Sequence, residues 1–430
     1  MELDAEVARA AFWRGEYNVA TETFTALSAD FNTSQPLYLC ELASTHLAAG
    51  REDEAFATLQ KAYGLLECFY DTHSEERAMS LWGAECEKVY KGDPYERSML
   101  CLVLGLMFLE RGDVDNALAC FKNGQLCDSD VASDLYKCDF GMLQLLESRC
   151  YAFRDEPDQC EASLEKAGES FLLTYPSVRR LVGEKQETAR RFAELSAAKR
   201  LSSRDREEKA ALEEQIERAE SDICECTGVI DMAYLDPLLD ETSTLVLIWT
   251  GMGPYKRRLG QYGELAYMEV PFSARLRHEV CVDGTTWYDG MQGFCDVAFQ
   301  ATTRGGRIMD NVLAKQAAFK RETAELGNIF IREAQNQSDP AAAAALLIIG
   351  AISAGISEAT HAEADIRCWQ LLPDEFHLVA LDLPPGLHDF HIHVYDQMLK
   401  VDEWRFAAEV QPSETLDVIW AIRAGEKPVQ

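Results

Sequence analysis

Four of the eight histidines, His377, His388, His391 and His393, fall between residues 377 and 393. His391 and His393 are two apart in HDFHIHVYD, a stretch that alternates polar and apolar residues, so in a strand their imidazoles share one face. Neutral imidazole is a zinc ligand. With His388 or Asp396 as a further donor the group would hold Zn²⁺ in a three- or four-ligand site. The competing reading is an ordinary strand, with Phe390, Ile392 and Val394 turned to a core and the histidines turned outward. A second chemical feature is the basic run Lys256, Arg257 and Arg258 after GMGPY, which predicts an anion site or a plain turn. It lacks the GxxxxGK[ST] spacing of a phosphate loop. Cys224 and Cys226 are the one close thiol pair, with a CxC spacing that argues only weakly for a metal. GxSxG, HExxH and GxGxxG are absent, and no nucleophile stands beside a base. The expectation is a protein without catalytic residues and without a cofactor.

Composition narrows the partners. The chain has 430 residues, 73 of them acidic and 41 basic, for a formal net charge of −32. Such a surface repels phosphate backbones and anionic lipid heads, so no nucleic-acid partner is expected and basic or polar proteins are favoured. Of the 14 cysteines, most sit among apolar residues at helical spacing, where a thiol acts as a small hydrophobe and a reducing compartment suits it. The opening MELDAEVARAAFWRGEY has no basic and apolar leader, which reads as cytoplasmic unless an envelope signal precedes it. The apolar run 341–357 is short for a membrane span, so no transmembrane segment is expected.

The elements that must position these groups begin with a repeat. AFWRGEYNVATETF, LAAGREDEAFATL and FLERGDVDNALACF share a Gly, an Ala five residues on, and a large apolar residue four further: Gly15/Ala20/Phe24, Gly50/Ala55/Leu59 and Gly112/Ala117/Phe121. CYAFRDEPDQCEASLEKA reads as a fourth, degenerate copy. Gly ends one helix in a left-handed turn, Ala lets the paired helix approach, and the large residue fills the next groove. The prediction is a helical-repeat solenoid with a concave face. Within it, GDPYERSM is a helix start: Asp93 at the N-cap, Pro94 at N1, and Glu96 at N3 reaching back to the cap amide. Tyr95, Glu96, Arg97 and Arg149 are the candidate partner-binding residues on the concave face.

Residues 82–130, with Lys88, Tyr90, Gly92, Tyr95, Glu96, Arg97, Gly112, Asp113 and Ala117, resemble the core of a bacterial family of tetratricopeptide-type proteins, many of them envelope lipoproteins. GMGPYK at 251–256 and ADIRCWQLLPDEFHLVALDLPPGLHDFHI at 364–392 extend the likeness to about two thirds of the chain. The resemblance implies a scaffold or partner-binding role and no catalytic residues. This chain shows no lipobox, so a lipid anchor is expected only with an upstream signal.

The remaining texture sets the fold class. Residues 183–222 are rich in Glu, Lys, Arg and Ala with few apolar positions, which predicts a solvated helical connector. After Asp240 short alternating runs and turn signals predict about eight strands. FCDVAFQATTRGG (294–306) is among them, and two helices near 307–335 and 340–360 interrupt the series. The expectation is an α+β chain. It divides into a tetratricopeptide-like helical domain at 1–180, a charged connector at 181–240, and an antiparallel β domain at 241–430, a sandwich or open sheet with a helical insertion near 307–360. The predicted function is a non-catalytic scaffold that binds a protein or peptide in the helical groove. A zinc- or ligand-binding β domain, with or without catalysis, is the alternative.

Overall fold

The computed structural model describes residues 2–68, 89–128, 140–173, 176–197, 202–229, 243–259, 265–271, 277–290, 295–304, 365–396, 399–411 and 416–422. The two helices expected near 307–335 and 340–360, and the apolar run 341–357, lie outside them. The architecture is α+β, with helices first and sheets after. Among the described residues no helix is long and apolar enough to cross a membrane.

Among the described residues, eight helices form four hairpins: α1 (Glu2–Trp13) with α2 (Tyr17–Ala29), α3 (Gln35–Ala48) with α4 (Glu52–Cys68), α5 (Pro94–Glu110) with α6 (Val114–Asp128), and α7 (Gly141–Phe153) with α8 (Pro157–Leu172). One turn chemistry closes all four. Gly15, Gly50, Gly112 and Asp155 have φ of 76°, 67°, 73° and 56°. The amide after each reaches back five residues: Glu16 to the Ala11 carbonyl, Arg51 to His46, Asp113 to Phe108 and Glu156 to Tyr151, at 2.9 to 3.0 Å. This is the Schellman end that a left-handed residue permits. Three repeats use glycine and the degenerate fourth uses aspartate. Ala20, Ala55 and Ala117 are buried, as are Phe24, Leu59 and Phe121. The close approach is tightest at Gly105, where a methyl group would lie 2.4 Å from the Phe121 ring. Each hairpin packs on the next through α2–α3, α4–α5 and α6–α7.

α9 (Pro176–Ala197) and α10 (Ser203–Val229) pair as an antiparallel hairpin. Arg191 meets Glu208 and Lys185 meets Glu220, so as one chain position falls the other rises. Exposed ion pairs of this kind are each worth little.

The β half is a sandwich. β1 (Thr244–Thr250), β7 (Glu375–Leu381), β10 (Asp417–Ile422) and the short β6 (Cys295–Asp296) form one sheet in the order β10-β1-β7-β6. β4 (Arg277–Val282), β5 (Thr285–Gly290), β8 (Gly386–Asp396) and β9 (Leu399–Val410) form the other, in the order β5-β4-β8-β9. β2 (Tyr255–Leu259) and β3 (Leu265–Glu269) make a separate hairpin. Among the described strands the pairings are antiparallel except β1 with β10, which run parallel. The expected strand at 294–306 is two residues of β6 followed by α11 (Val297–Arg304). Val297 and Ala301, one helical turn apart, are buried, and that spacing overrides the apparent alternation.

The first sheet is covered on both faces, which explains the unbroken apolar run TLVLIWT. Leu245, Leu247, Trp249, Phe376 and Leu378 join the core of the helices. Val246, Ile248, Val379 and Leu381 face Val280, Phe390, Ile392 and Val394 of the second sheet. The molecule is therefore layered as helices, covered sheet, outer sheet.

The helix–sheet seam holds a carboxylate cluster: Glu52, Glu110 and Asp417. Burial, with the charge of Glu52, pushes Glu110 up to about 8 against the pull of Arg111. Below pH 4.5 both folded and unfolded chains hold this proton, so Glu110 destabilises nothing there. As pH rises towards 8 the unfolded chain releases the proton first, and stability falls. Glu110→Gln is therefore expected to leave the melting temperature unchanged in acid and to raise it above pH 8. A tenfold difference in proton affinity between the two states is worth about 1.4 kcal/mol, which makes the gain a few kcal/mol. Thermal melts of both proteins across that range decide it; a constant difference at every pH rules the account out.

Candidate functional site

The site is assembled from distant segments around residues 365–374, DIRCWQLLPD. This stretch has no regular secondary structure before β7. Its first turn closes on itself, with the Arg367 amide and guanidinium both donating to Asp365, at 3.0, 2.9 and 2.8 Å. The helices then take hold of it. The Trp369 amide donates to Glu96 Oε1 at 2.5 Å, and the indole Nε1–H donates to Ser44 Oγ at 3.0 Å. The Gln370 amide donates to Glu41. Arg367 donates to the Thr33 carbonyl at 3.0 Å, and its guanidinium lies over the Tyr90 ring. Trp369 is 2% exposed.

Each polar group that grips the segment is gripped in turn. Glu41 interrupts the apolar helix QPLYLCELASTHLA and is fully buried; Arg9 of α1 meets it through two bonds, 2.6 and 3.0 Å. Burial pushes the Glu41 carboxyl up, and the Arg9 guanidinium opposes it. Glu96 also accepts the Asp93 amide at 2.6 Å, as the expected helix start requires. Burial, then the nearby Asp93 charge, lifts Glu96 to about 7, with Lys256 pulling the other way. Lys256 of β2 pairs with Asp93 at 2.5 Å and donates to the Arg367 carbonyl at 3.4 Å. The glycine-rich GMGP lies along the far end of the segment. The Gly253 amide donates to the Leu372 carbonyl at 2.9 Å, and a Cβ there would stand 2.5 Å from that oxygen. Among the motifs, GDPYER, GMGPYK and DIRCWQLLP thus converge on one place.

Of the candidate partner-binding residues, Tyr95, Glu96, Arg97 and Arg149 are all buried. Glu96 is bonded to the chain's own segment, Tyr95 packs beside it, and Arg149 of α7 lies over Phe153. The candidate anion site divides. Lys256 is buried in its ion pair, while Arg257 and Arg258 are exposed neighbours in β2, which a strand turns to opposite faces; Arg257 pairs with Glu269. The three cations therefore do not converge on one anion. Sequence reading missed Arg9, Glu41 and Ser44; its available signal was a lone carboxylate in an apolar helix. The buried thiol of Cys368, in the same cluster, is pushed up to about 12 by desolvation, which favours the protonated thiol over the thiolate.

The histidine trio also separates. His391 and His393 share the outer face of the second sheet, but His388 is one register off. It clamps the β4–β5 turn, with Nδ1 2.7 Å from Asp283 and Nε2 2.8 Å from the Pro384 carbonyl. Those two acceptors raise His388 above its ordinary range. Period-2 geometry places even residues with Phe390 and Ile392, so His388 cannot share a metal with His391 and His393. On the outer face, pairing across strands sets Glu279 and Glu403 on either side of His393, and Cys281 beside His391. These neighbours depend on register and were invisible in the linear sequence.

No family model matches the chain, and no curated protein matches it.

Proposed function

We propose that the chain is a non-catalytic interaction protein. Its tetratricopeptide-like helical half acts as a receptor for an extended, tryptophan-bearing peptide, and residues 365–374 of its own chain are the segment held. One observation carries the reading: a main-chain amide and the indole of Trp369 are both read by helix side chains, Glu96 and Ser44. Recognition of an extended backbone by fixed acceptors, with one aromatic anchor in a pocket, is how helical and sheet grooves select peptides. The groups that acid–base chemistry would call on here, Arg9, Glu41, Asp93, Glu96 and Lys256, are buried and bonded within the chain. That arrangement supports holding over turnover. A protein partner would enter by presenting a similar segment to the same cleft.

The test is a fluorescence-anisotropy titration of a labelled peptide with the sequence of residues 364–374 into the full chain carrying Trp369→Ala. Saturable binding is expected, weaker by at least tenfold in wild type, where the resident segment competes. Adding Ser44→Ala and Glu96→Gln is expected to abolish it. A Trp369→Ala chain that keeps its helical circular dichroism and binds no peptide overturns the reading.

A further inference from the structure

The outer face of the second sheet carries a second feature, independent of the cleft. Its centre is a cross-strand row, Glu279 (β4), His393 (β8) and Glu403 (β9), with His391 two residues along β8. One donor atom each from His391, His393 and Glu403 lies within 4.8 Å of the other two. The edge of a tetrahedron around Zn²⁺ is about 3.3 Å for bonds near 2.0 Å, so small side-chain rotations close the set. Exposed carboxylates cluster often without a metal. What distinguishes this cluster is the orientation of its central imidazole. His393 Nδ1 lies 3.2 Å from Glu279 Oε2, and Glu279 is itself held by the Tyr395 hydroxyl at 2.9 Å and by Thr286 at 3.3 Å. A proton on Nδ1 donating to that carboxylate leaves the Nε2 lone pair on the side of Glu403, 3.9 Å away. A carboxylate behind an imidazole that faces a second donor is the support that metal-binding histidines use.

We propose that His391, His393 and Glu403 form a binding site for a borderline divalent cation of the Zn²⁺ class, with Glu279 as the positioning residue behind His393 and water completing the coordination. Imidazole and carboxylate donors favour Zn²⁺, Ni²⁺ and Cu²⁺ over Mg²⁺ or Ca²⁺. Three groups contend for the ligands: Lys400 and Arg405 for Glu403, and Asp389 for His391 at 3.0 Å. These are exposed pairs, weak enough for a dication to displace. Cys281 with Glu279 and His393 forms a rival triad of similar span that shares the central histidine, so the experiment has to separate the two sets.

The test is titration of the full, metal-stripped chain with Zn²⁺ by calorimetry, and with Co²⁺ by visible absorption. One site of micromolar affinity or better is expected, unaffected by excess Mg²⁺. His391→Ala, His393→Ala and Glu403→Gln are each expected to weaken it by at least tenfold. Glu279→Gln, which leaves all three ligands in place, is expected to weaken it by about 10–100-fold. His388→Ala is expected to change nothing. The ligand positions lie on the outer face, and far-ultraviolet circular dichroism of each variant checks the fold. Absence of this site, or binding indifferent to the histidine variants, overturns the proposal. A thiolate-to-cobalt band lost in Cys281→Ser but kept in Glu403→Gln overturns the ligand set in favour of the rival triad.

Discussion

Trp369→Ala is expected to destabilise the fold by about 3–5 kcal/mol, the range for deleting a large aromatic from a packed core. The indole is among the largest fully buried side chains, and it belongs to the same core as the repeat helices and the covered sheet. Its removal leaves a cavity in the core shared by the helices and the covered sheet, and strips Ser44 of the indole donor. Trp369→Phe keeps an aromatic ring in the pocket and loses the N–H with part of the fused ring, so it is expected to recover more than half of the stability that the alanine variant loses. Urea unfolding of the three proteins gives the values. A loss below about 1 kcal/mol for the alanine variant, typical of surface positions, would falsify the seating of this segment between the helices.

The second large effect is expected at Lys256 and Asp93. Their side chains are 4% and 0% exposed. Lys256→Met leaves a carboxylate buried without its cation, and Asp93→Asn leaves the ammonium without its anion. Breaking such a pair from one side costs about 3–5 kcal/mol. Removing both partners together is expected to cost much less than the two losses summed, because neither charge is then stranded. Lys256→Met also withdraws the cation that restrains Glu96, so that carboxyl is expected to rise above its present value of about 7. Denaturant melts of the two single variants and the double variant form the cycle. Additive losses would show that the two side chains do not depend on each other.

What the sequence could reveal follows the range of each interaction. Gly15, Gly50 and Gly112 were legible as helix ends because positive φ is a local demand that glycine meets with least strain. The start of α5 was legible for the same reason, since Asp93, Pro94 and Glu96 act within one turn. The second oxygen of Glu96 was not legible. It serves an amide 273 residues away, and only the folded chain brings the two together. The error over His388 was avoidable, because counting by twos along β8 already separates it from His391. Glu279, Cys281 and Glu403 could not be found that way, since their meeting with the histidines depends on which strands pair and in which register. Tyr95 and Arg97 were candidates for a partner-binding face, and the repeat pattern could not foretell that both side chains are buried in the fold.

The bond between Trp369 and Ser44 closes a loop of 325 residues, and that span governs when the protein can finish folding. Arrays of helical repeats ordinarily assemble from neighbour to neighbour and can begin while the ribosome is still at work. Here the first hairpins hold Glu41 and Glu96 as acceptors for a segment synthesised more than 250 residues after the last of them. Until residue 370 emerges, the early helices carry a polar cleft without its amide donors. Contacts of such separation make for slow, late completion. The repeats and the sandwich are therefore expected to gain their final stability in one step, once residues 369 and 370 have emerged, rather than hairpin by hairpin as the helices are made.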